Sequence, residues 1–132
     1  MSIQEKYPYF SILIRINNLY FNDIENYNLR LSNEEDLSYF ESLLSTFFYI
    51  SNITDDINTI LFYLLTITGK LLNYQPFYDG NSRTLKQFIK TVLQEIGYNL
   101  EYNQEDFIIP MLFDNEVVSN EEILCLKRKI FF

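Results

Sequence analysis

Histidine, tryptophan and alanine are all absent from this 132-residue sequence. Without histidine, the chain lacks the side chain that most often acts as a general base near neutral pH and that most often ligates a metal. Its single cysteine, Cys125, excludes a disulfide framework within the chain, which fits a reducing compartment. Because no histidine is available to activate Cys125, we interpret it as a small buried hydrophobic residue and not as a nucleophile.

Basic residues are also scarce. Ten lysines and arginines stand against 18 acidic residues, which gives a net charge of −8. Binding to nucleic acid by counterion release needs clustered basic side chains, so we expect no nucleic-acid partner. The only basic cluster, at residues 127–129, is typical of the last turn of a helix, where the helix dipole favours positive charge.

Long apolar runs are missing as well. The most apolar region, residues 57–72, is interrupted by polar side chains. A membrane span needs about 20 mostly apolar residues, so this region is predicted to be a buried helix and no membrane partner is expected. The first ten residues lack the sustained apolar stretch of a signal sequence.

What the chain does contain is material for a core. Hydrophobic residues make up 48% of the sequence and aromatic residues 17%. At this length, such a composition predicts one folded domain over residues 1–132.

The N-terminal region shows an alternating pattern. Apolar residues at every second position predict a β-strand over residues 10–16. The Asn17-Asn18 pair can turn the chain, and residues 19–21 can return as a short second strand. This stretch therefore predicts a small hairpin, with a single extended arm as the alternative. The alternating residues are Phe10, Ile12, Ile14 and Ile16.

Helical periodicity dominates the rest of the chain. Ser32 and Glu35 form a capping-box pattern that opens a helix over about residues 33–49. Residues 54–56 then open a helix that is apolar around most of its circumference, runs to about Asn73 and is expected to be central. The predicted fold class is therefore all-α, or mainly α, with one small β-hairpin near the N-terminus.

Two further helices are predicted downstream. One runs from Arg83 to about residue 96 and is followed by Gly97, a typical residue just beyond a helix C-terminus. The pattern formed by Ser119 and Glu122 opens the last helix, through about Lys129. Between them, residues 105–113 carry a proline and are either a short helix or a loop.

The predicted functional residues lie at the junction between the central helix and the next one. This junction is "QPFYDGNSRTLK" at residues 75–86. Residues 80–82 can turn backbone N–H groups inward at the positive end of the following helix, which makes an anion-binding site. Arg83 and Lys86 lie on its first turn with charges that suit phosphate. Asp79 offers a hard oxygen ligand through which Mg²⁺ could bridge to a phosphate chain. Together these features predict a triphosphate site.

A simpler interpretation is an ordinary helix–loop–helix turn in which Asn81 or Ser82 caps the second helix. Against it stands a resemblance to the signature of the Fic/Doc (Fido) family. That signature is His-Pro-Phe, one residue, Asp or Glu, Gly-Asn-Gly-Arg, two residues and Arg. The residues that match in register are Pro76, Phe77, Asp79, Gly80, Asn81 and Arg83.

This resemblance implies a minimal Fic-like helical bundle in which a long helix, the motif loop and a second helix pack together. In the family, an upstream β-hairpin called the flap holds a segment of the target protein by strand addition. Residues 11–21 lie at about the right place for it. The residues expected to bind the target are therefore Ile12, Leu13, Ile14, Arg15 and Ile16.

The resemblance also implies an activity. Family members usually transfer AMP from ATP to a hydroxyl group of a protein, and Doc-like members transfer the terminal phosphate. The motif histidine takes the proton of the attacking hydroxyl and the acidic residue holds Mg²⁺. The glycine-rich backbone cradles the phosphates, and the last arginine steadies the phosphate tail.

Three residues of this chain depart from that pattern. Gln75 occupies the histidine position, and loss of a general base costs about 10²–10⁴-fold in rate. Ser82 replaces the second glycine and would be strained if that residue needed a positive φ. Lys86 replaces the last arginine, which keeps the charge and loses the bidentate geometry. The phosphate site is thus degraded and the base is missing.

The leading hypothesis is a Fic-like domain whose transferase site is degenerate and inactive or much weakened. It would bind ATP and Mg²⁺ weakly or not at all, and it would act on a protein target or regulatory protein through the flap. We expect such a protein in the cytoplasm, bacterial or delivered into a host or neighbouring cell. The alternatives are an active Mg²⁺-dependent AMP- or phosphoryl-transferase, and a structural or decoy module that binds no nucleotide.

Overall fold

Six helices and one two-stranded antiparallel sheet make up the part of the chain that the structure, a computed structural model, describes: residues 2–101 and 107–131. The mainly helical fold class is confirmed. In chain order the elements are α1 (Ile3–Lys6), α2 (Phe10–Phe21), α3 (Glu34–Ile53), α4 (Ile57–Tyr74), α5 (Asn81–Glu95), β1 (Asn99–Leu100), α6 (Asn120–Lys127) and β2 (Ile130–Phe131).

The predicted N-terminal hairpin is wrong, and so is the extended arm. Residues 10–21 form helix α2, and the chain turns after it at Asn22, whose φ is 50°. The sequence also carried a helical pattern, because four buried residues fall at spacings of three, four and seven. The segment forms a helix and not a strand because the helix places these four side chains in the core: Phe10, Leu13, Ile14 and Asn17.

The residues predicted to form the target-binding flap are consequently not on a strand edge. Leu13, Ile14 and Ile16 are buried in the core, Ile12 is half-buried, and Arg15 alone is exposed. A helix has no unpaired strand edge to offer, so strand addition at this place is also wrong. The sheet that does form pairs β1 with β2, Asn99 opposite Phe131 and Leu100 opposite Ile130.

Helix α4 is the central helix, as predicted. It packs against α3, α5 and α6, and half of its residues are buried. Its neighbour α3 begins one residue later than the capping pattern indicated. Asn33 is the N-cap, and its Oδ1 accepts hydrogen bonds from the backbone N–H groups of Glu35 at 2.8 Å and Asp36 at 3.3 Å. Asparagine caps as well as serine, and here it satisfies two N–H groups.

The C-terminal part follows the predictions in outline. Gly97 adopts a φ of 98° just beyond α5, and Ser119 forms the expected capping box at the start of α6. Residues 107–113 are a loop, whereas residues 105 and 106 lie outside the described residues. The loop contacts α4 closely at Gly69, where an added Cβ would lie 2.5 Å from the carbonyl oxygen of Pro110.

Cys125 is exposed, so its prediction as a buried residue is wrong. Helix α6 turns Ile123 and Leu126 into the core, and the residues between them face outward. In the described ranges, each helix lacks the length and apolar content that a membrane span requires.

Candidate functional site

The loop between α4 and α5 is bounded by two left-handed residues. Gln75, the C-cap of α4, has a φ of 53°, and Gly80, the N-cap of α5, has a φ of 79°. These two positive φ values, within six residues, turn the chain sharply from the end of α4 to the start of α5. The loop therefore holds Gln75 and the first turn of α5 close together.

Asn81 fastens this loop through its side chain. Its Oδ1 accepts a hydrogen bond from the Phe77 N–H at 2.9 Å, and its Nδ2 donates to the Phe77 carbonyl at 2.7 Å. Phe77 itself is buried, so the loop is anchored in the core. The carboxamide of Asn81 is thus engaged within the loop, and what this residue can offer to an anion is its backbone N–H.

A second segment, residues 28–31, pairs with the loop from outside. The N–H groups of Arg30 and Leu31 both donate to the Pro76 carbonyl, at 2.8 and 3.0 Å, and Tyr78 N–H donates to the Asn28 carbonyl at 2.8 Å. Leu29 and Phe77 form an antiparallel bridge. The segment before α3 therefore supports the loop in a short strand-like pairing that the sequence did not reveal.

The side chain of Arg30 adds to this support. Its guanidinium donates to the carbonyl oxygens of Gln75, at 2.7 Å, and Tyr74. These carbonyls end α4 and have no partner within the helix. Arg30 therefore closes the C-terminus of α4 with a favourably placed positive charge.

Two side-chain amides hold the centre of the loop, from the buried Asn17 on α2 and the half-buried Asn28. Asn17 Nδ2 donates to the Asp79 carbonyl at 3.3 Å and to Thr84 Oγ1 at 3.1 Å. Asn28 Nδ2 donates to Asn17 Oδ1 and to the Asp79 carbonyl, both at 2.9 Å, and Asn28 Oδ1 accepts from Asp79 N–H at 3.1 Å. Asn17 and Thr84 are almost completely buried, so this network fixes the backbone of Asp79 rigidly.

Phe21, the last residue of α2, lies directly over Gly80. A Cβ built on Gly80 would come within 2.4 Å of the Phe21 ring. Position 80 therefore requires glycine for two reasons: its φ is positive, and the Phe21 ring leaves no room for a Cβ. The ring also forms one wall of the cleft that the loop creates.

The residues predicted to bind phosphate and metal meet Gln75 in one open cleft of about 570 Å³, together with Phe21 and Tyr78, whereas the predicted flap residues do not line it. No side chain caps the N-terminus of α5, which leaves the N–H groups of its first turn without a side-chain acceptor. The predicted residues brought together there are Gln75, Asp79, Gly80, Asn81, Ser82, Arg83 and Lys86.

Two cationic side chains on α5 face this cleft. The Arg83 guanidinium lies 5.0 Å from the centre of the Tyr20 ring, so α2 positions it from the side. Lys86 lines the same cleft one turn further along. Both charges lie close to the positive end of the helix dipole, which favours an anion.

Ser82 is not strained. It lies in the first turn of α5 and is exposed, and the positive φ of this loop is taken by Gly80 and Gln75. The condition under which strain was expected at the second glycine position, a positive φ, is therefore not met. The serine instead adds a Cβ and a hydroxyl to the wall of the cleft.

Asp79 is the one acidic residue that lines the cleft among the described residues. Nowhere in residues 2–101 and 107–131 do three or more acidic or cysteine side chains gather to hold a metal ion. A single carboxylate fits Mg²⁺ only where phosphate oxygens and water complete its shell.

Two grooves adjoin the cleft. An apolar groove of about 470 Å³ shares Ser82 and Lys86 with it and continues to Leu72 and Met111. On the other side, an aromatic groove of about 320 Å³ lies between Tyr27 and the cleft. The cleft is thus open to two chemically different surfaces.

Sequence reasoning missed the residues that support the loop. Asn17 shares the helical spacing of the buried face of α2, which was the available signal for it. No local sequence pattern predicts the roles of Asn28, Arg30 and Phe21, because these residues contact residues more than 40 positions away in the chain. No family model, curated protein or solved structure matches the chain. The Fic/Doc resemblance stays a prediction from the loop motif.

Proposed function

We propose that this protein is a Fic-like domain that binds the phosphate groups of a nucleotide at the N-terminus of α5 and lacks the base needed to transfer them efficiently. The observation that carries the proposal is that one cleft gathers uncapped helix N–H groups with Arg83 and Lys86. This combination of helix dipole, amides and cations suits a phosphate chain.

The missing step is proton removal. Gln75 lines the cleft at the position of the family histidine, and a neutral amide accepts no proton near neutral pH. The acceptor hydroxyl would therefore attack without general-base help, at a cost of about 10²–10⁴-fold. Transfer is expected to be absent or much weakened.

Asp79 would hold Mg²⁺ if the metal arrives with its nucleotide. Its backbone is fixed by the amides of Asn17 and Asn28, and its side chain lines the cleft. Bound Mg²⁺ would neutralise phosphate charge. With one protein carboxylate, the metal is expected to bind as a complex with ATP and not alone.

The apolar groove beside Lys86 supports a nucleotide over inorganic phosphate. It starts at Ser82 and Lys86, where the phosphate cleft ends, and its walls include Leu72 and Met111. The nucleobase of a bound nucleotide would bury apolar surface in this groove, while the phosphates of the same nucleotide reach the N-terminus of α5.

The test is calorimetry with ATP and Mg²⁺. We expect weak binding that an Arg83→Ala, Lys86→Ala double variant reduces by at least tenfold. A Lys127→Ala, Arg128→Ala variant is the matched control, because it removes the same charge from an exposed turn outside the cleft. Equal affinities of the two variants would mean that nucleotide binds outside this cleft, and no binding by the unmodified chain would leave the structural or decoy module as the better explanation.

Label transfer separates this proposal from the active transferase. The unmodified protein is incubated with ATP labelled on the α- or γ-phosphate and with candidate protein acceptors. We expect no labelled protein above background, because Gln75 stands where the family has its histidine base. Clear labelling that needs Arg83 would establish the alternative, an AMP- or phosphoryl-transferase.

Because the predicted flap does not form, a different surface is the candidate for binding a protein partner. Exposed apolar side chains lie at the end of α2, in the segment after it and in the motif loop, and two of them, Tyr27 and Tyr78, line the aromatic groove beside the cleft. They are 70–80% exposed in four cases: Leu19, Ile24, Tyr27 and Tyr78. Clusters of this kind mark protein interaction sites. We propose that a protein partner docks on this aromatic surface.

Site-specific photo-crosslinking tests that surface. A photoreactive residue at Tyr27 is expected to yield one discrete crosslinked partner in cells. The same residue at Tyr49, which is 66% exposed on α3, is the control and is expected to yield none. Equal crosslinking from both positions would reject the surface.

A further inference from the structure

The aromatic groove beside the cleft carries negative charge as well as exposed rings. Tyr27 and Tyr78 are 80% and 70% exposed, so their rings are open to a ligand. A groove that joins exposed rings to carboxylates suits a cation, because ring faces and carboxylates both carry negative charge. The side chains that line it are three aromatic ones, two acidic ones and an amide: Phe21, Tyr27, Tyr78, Asp23, Asp79 and Asn28.

Asp79 is the acidic residue of this groove whose carboxylate is available. Its N–H donates to Asn28 Oδ1, and its carbonyl accepts from Asn17 and Asn28, so asparagine side chains occupy its backbone groups. Its side chain is exposed and has no hydrogen bond or ion pair with the described residues. Asp23, by contrast, uses both carboxylate oxygens to accept from the N–H groups of Tyr27 and Asn28.

The chain around the groove is acidic. Residues 19–29 carry two acidic residues and no lysine or arginine, and residues 74–82 carry one acidic residue and no basic one. Arg83 lies against the Tyr20 ring and lines the cleft, not the groove. This distribution of charge repels nucleic acid and anionic membranes, and it attracts a basic segment of a protein.

We propose that the aromatic groove binds an arginine side chain of the protein partner, whose guanidinium pairs with the Asp79 carboxylate and stacks on the tyrosine rings. The inference rests on the proposed partner surface and not on nucleotide binding. Arginine fits better than lysine, because its planar guanidinium gives a carboxylate two parallel hydrogen bonds and stacks on aromatic faces. Leu19 and Ile24, exposed in the same stretch of chain, suit apolar residues that flank the arginine.

The size of the groove fits this ligand. Its volume is about 320 Å³. At roughly 30 Å³ for a water-sized group, it has room for about ten such groups, which is enough for an arginine side chain.

Asp79 also lines the cleft, where it would hold Mg²⁺ with a nucleotide. Because one carboxylate is shared by two sites, the partner's arginine and Mg²⁺ compete for it. The binding test is therefore made without nucleotide and without Mg²⁺. A failure of nucleotide binding then leaves the test of the groove unaffected.

Nuclear magnetic resonance of the isotope-labelled full-length chain tests the inference with tripeptides blocked at both ends. The probe is Leu-Arg-Leu, and its counterparts carry lysine or the neutral arginine analogue citrulline at the central position. We expect Leu-Arg-Leu to shift the backbone N–H signals of Tyr27, Tyr78 and Asp79 saturably. The citrulline peptide is expected to bind at least about tenfold more weakly, and the lysine peptide a few-fold more weakly.

Variants identify the groups that bind the arginine. Asp79→Asn keeps the size of the side chain and is expected to weaken Leu-Arg-Leu binding about tenfold. Tyr27→Ala removes a ring from the groove and is expected to weaken binding a few-fold. Asp55→Asn is the matched control, because it removes the same charge from an exposed position outside the groove, and it should change binding by less than about twofold.

The inference is overturned if Leu-Arg-Leu causes no saturable shift, if the citrulline peptide binds equally well, or if Asp79→Asn leaves binding unchanged. Equal binding of the lysine peptide would overturn the assignment to arginine. Shifts at Tyr27 and Tyr78 that depend on protein concentration without peptide would assign the surface to a second copy of the chain instead. If Tyr27 crosslinks a partner in cells while the peptide results are negative, the partner surface stands and the arginine site is rejected.

Discussion

The carboxamide of Asn81 bridges both backbone groups of Phe77, accepting from its N–H at 2.9 Å and donating to its carbonyl at 2.7 Å. One side chain thereby satisfies two main-chain groups in a buried part of the loop. Asn81 thus acts as a positioning residue for the loop, and the proposed phosphate site depends on it indirectly.

Asn81→Ala should therefore weaken the loop. It leaves the N–H and the carbonyl of Phe77 without partners, and we expect a loss of about 1–3 kcal/mol in the free energy of unfolding. Urea denaturation measures it. Ser82→Ala, at the next and exposed position, is the control and should change stability by less than about 0.5 kcal/mol. Equal effects would mean that the bridge contributes nothing.

Gly80→Ala should cost more than Gly97→Ala. Both residues have a positive φ, 79° and 98°. An added Cβ at Gly80 would lie 2.4 Å from the Phe21 ring, whereas at Gly97 it would meet none of the described residues within 4 Å. Backbone strain costs about 1–3 kcal/mol at either position. The clash adds to it at Gly80, and Phe21→Ala in the same chain should remove that addition. Equal costs for the two glycines in chemical denaturation would contradict the contact.

Gln75→Gly should stabilise the protein, and Gln75→Val should destabilise it. Gln75 has a φ of 53°, where an L-residue pays about 1–2 kcal/mol and glycine pays almost none. Thermal unfolding measures both changes. Lys90→Gly, in the interior of α5, is the control, and it should lose about 1 kcal/mol because helix interiors disfavour glycine.

Asn17→Ala should loosen the loop from a distance. The variant removes the donors to Asp79 and Thr84, two groups held in a buried network, so we expect a loss of about 1–3 kcal/mol. Hydrogen exchange should accelerate at Tyr78 and Asp79, whose N–H groups donate to Asn28, which Asn17 holds in place. Asn52→Ala, on the exposed end of α3, should leave exchange there unchanged.

The ion pair between Lys6 and Glu34 should make a small, pH-dependent contribution. The hydrogen bond from Lys6 lowers the pKa of Glu34 below its ordinary value of 4.5. A carboxylate whose pKa is lowered by folding stabilises the protein above the ordinary value and loses that effect as the pH falls through the lowered one. The difference in melting temperature between the parent and Glu34→Gln should therefore disappear in acid.

Salt provides a second check on this pair. Both side chains are exposed, so 1 M NaCl should screen most of the difference at neutral pH. A difference that survives both acid and salt would point to a cause other than the ion pair.

The helical stretches downstream of residue 32 could be predicted from the sequence because their signals are local. The capping box at Ser119, the glycine at position 97 and the apolar periodicity of α4 each act within one or two turns of chain. The loop motif likewise predicts most of the residues that line one cleft, except Phe21 and Tyr78.

The N-terminal region could not be decided locally, because its apolar residues satisfy both a period of two and a helical spacing. Core packing favours the helix, because only a helix buries Phe10, Leu13 and Asn17 on one face. That choice also placed Asn17 and Phe21 against the loop.

Residue types and short-range spacing by themselves determined a mainly helical chain with a phosphate-suited turn and no histidine to act as a base. Only tertiary structure decided which segments support that turn. The contacts of Asn17, Asn28 and Arg30 with it join residues 44 to 67 positions apart, and no local pattern specifies such pairs.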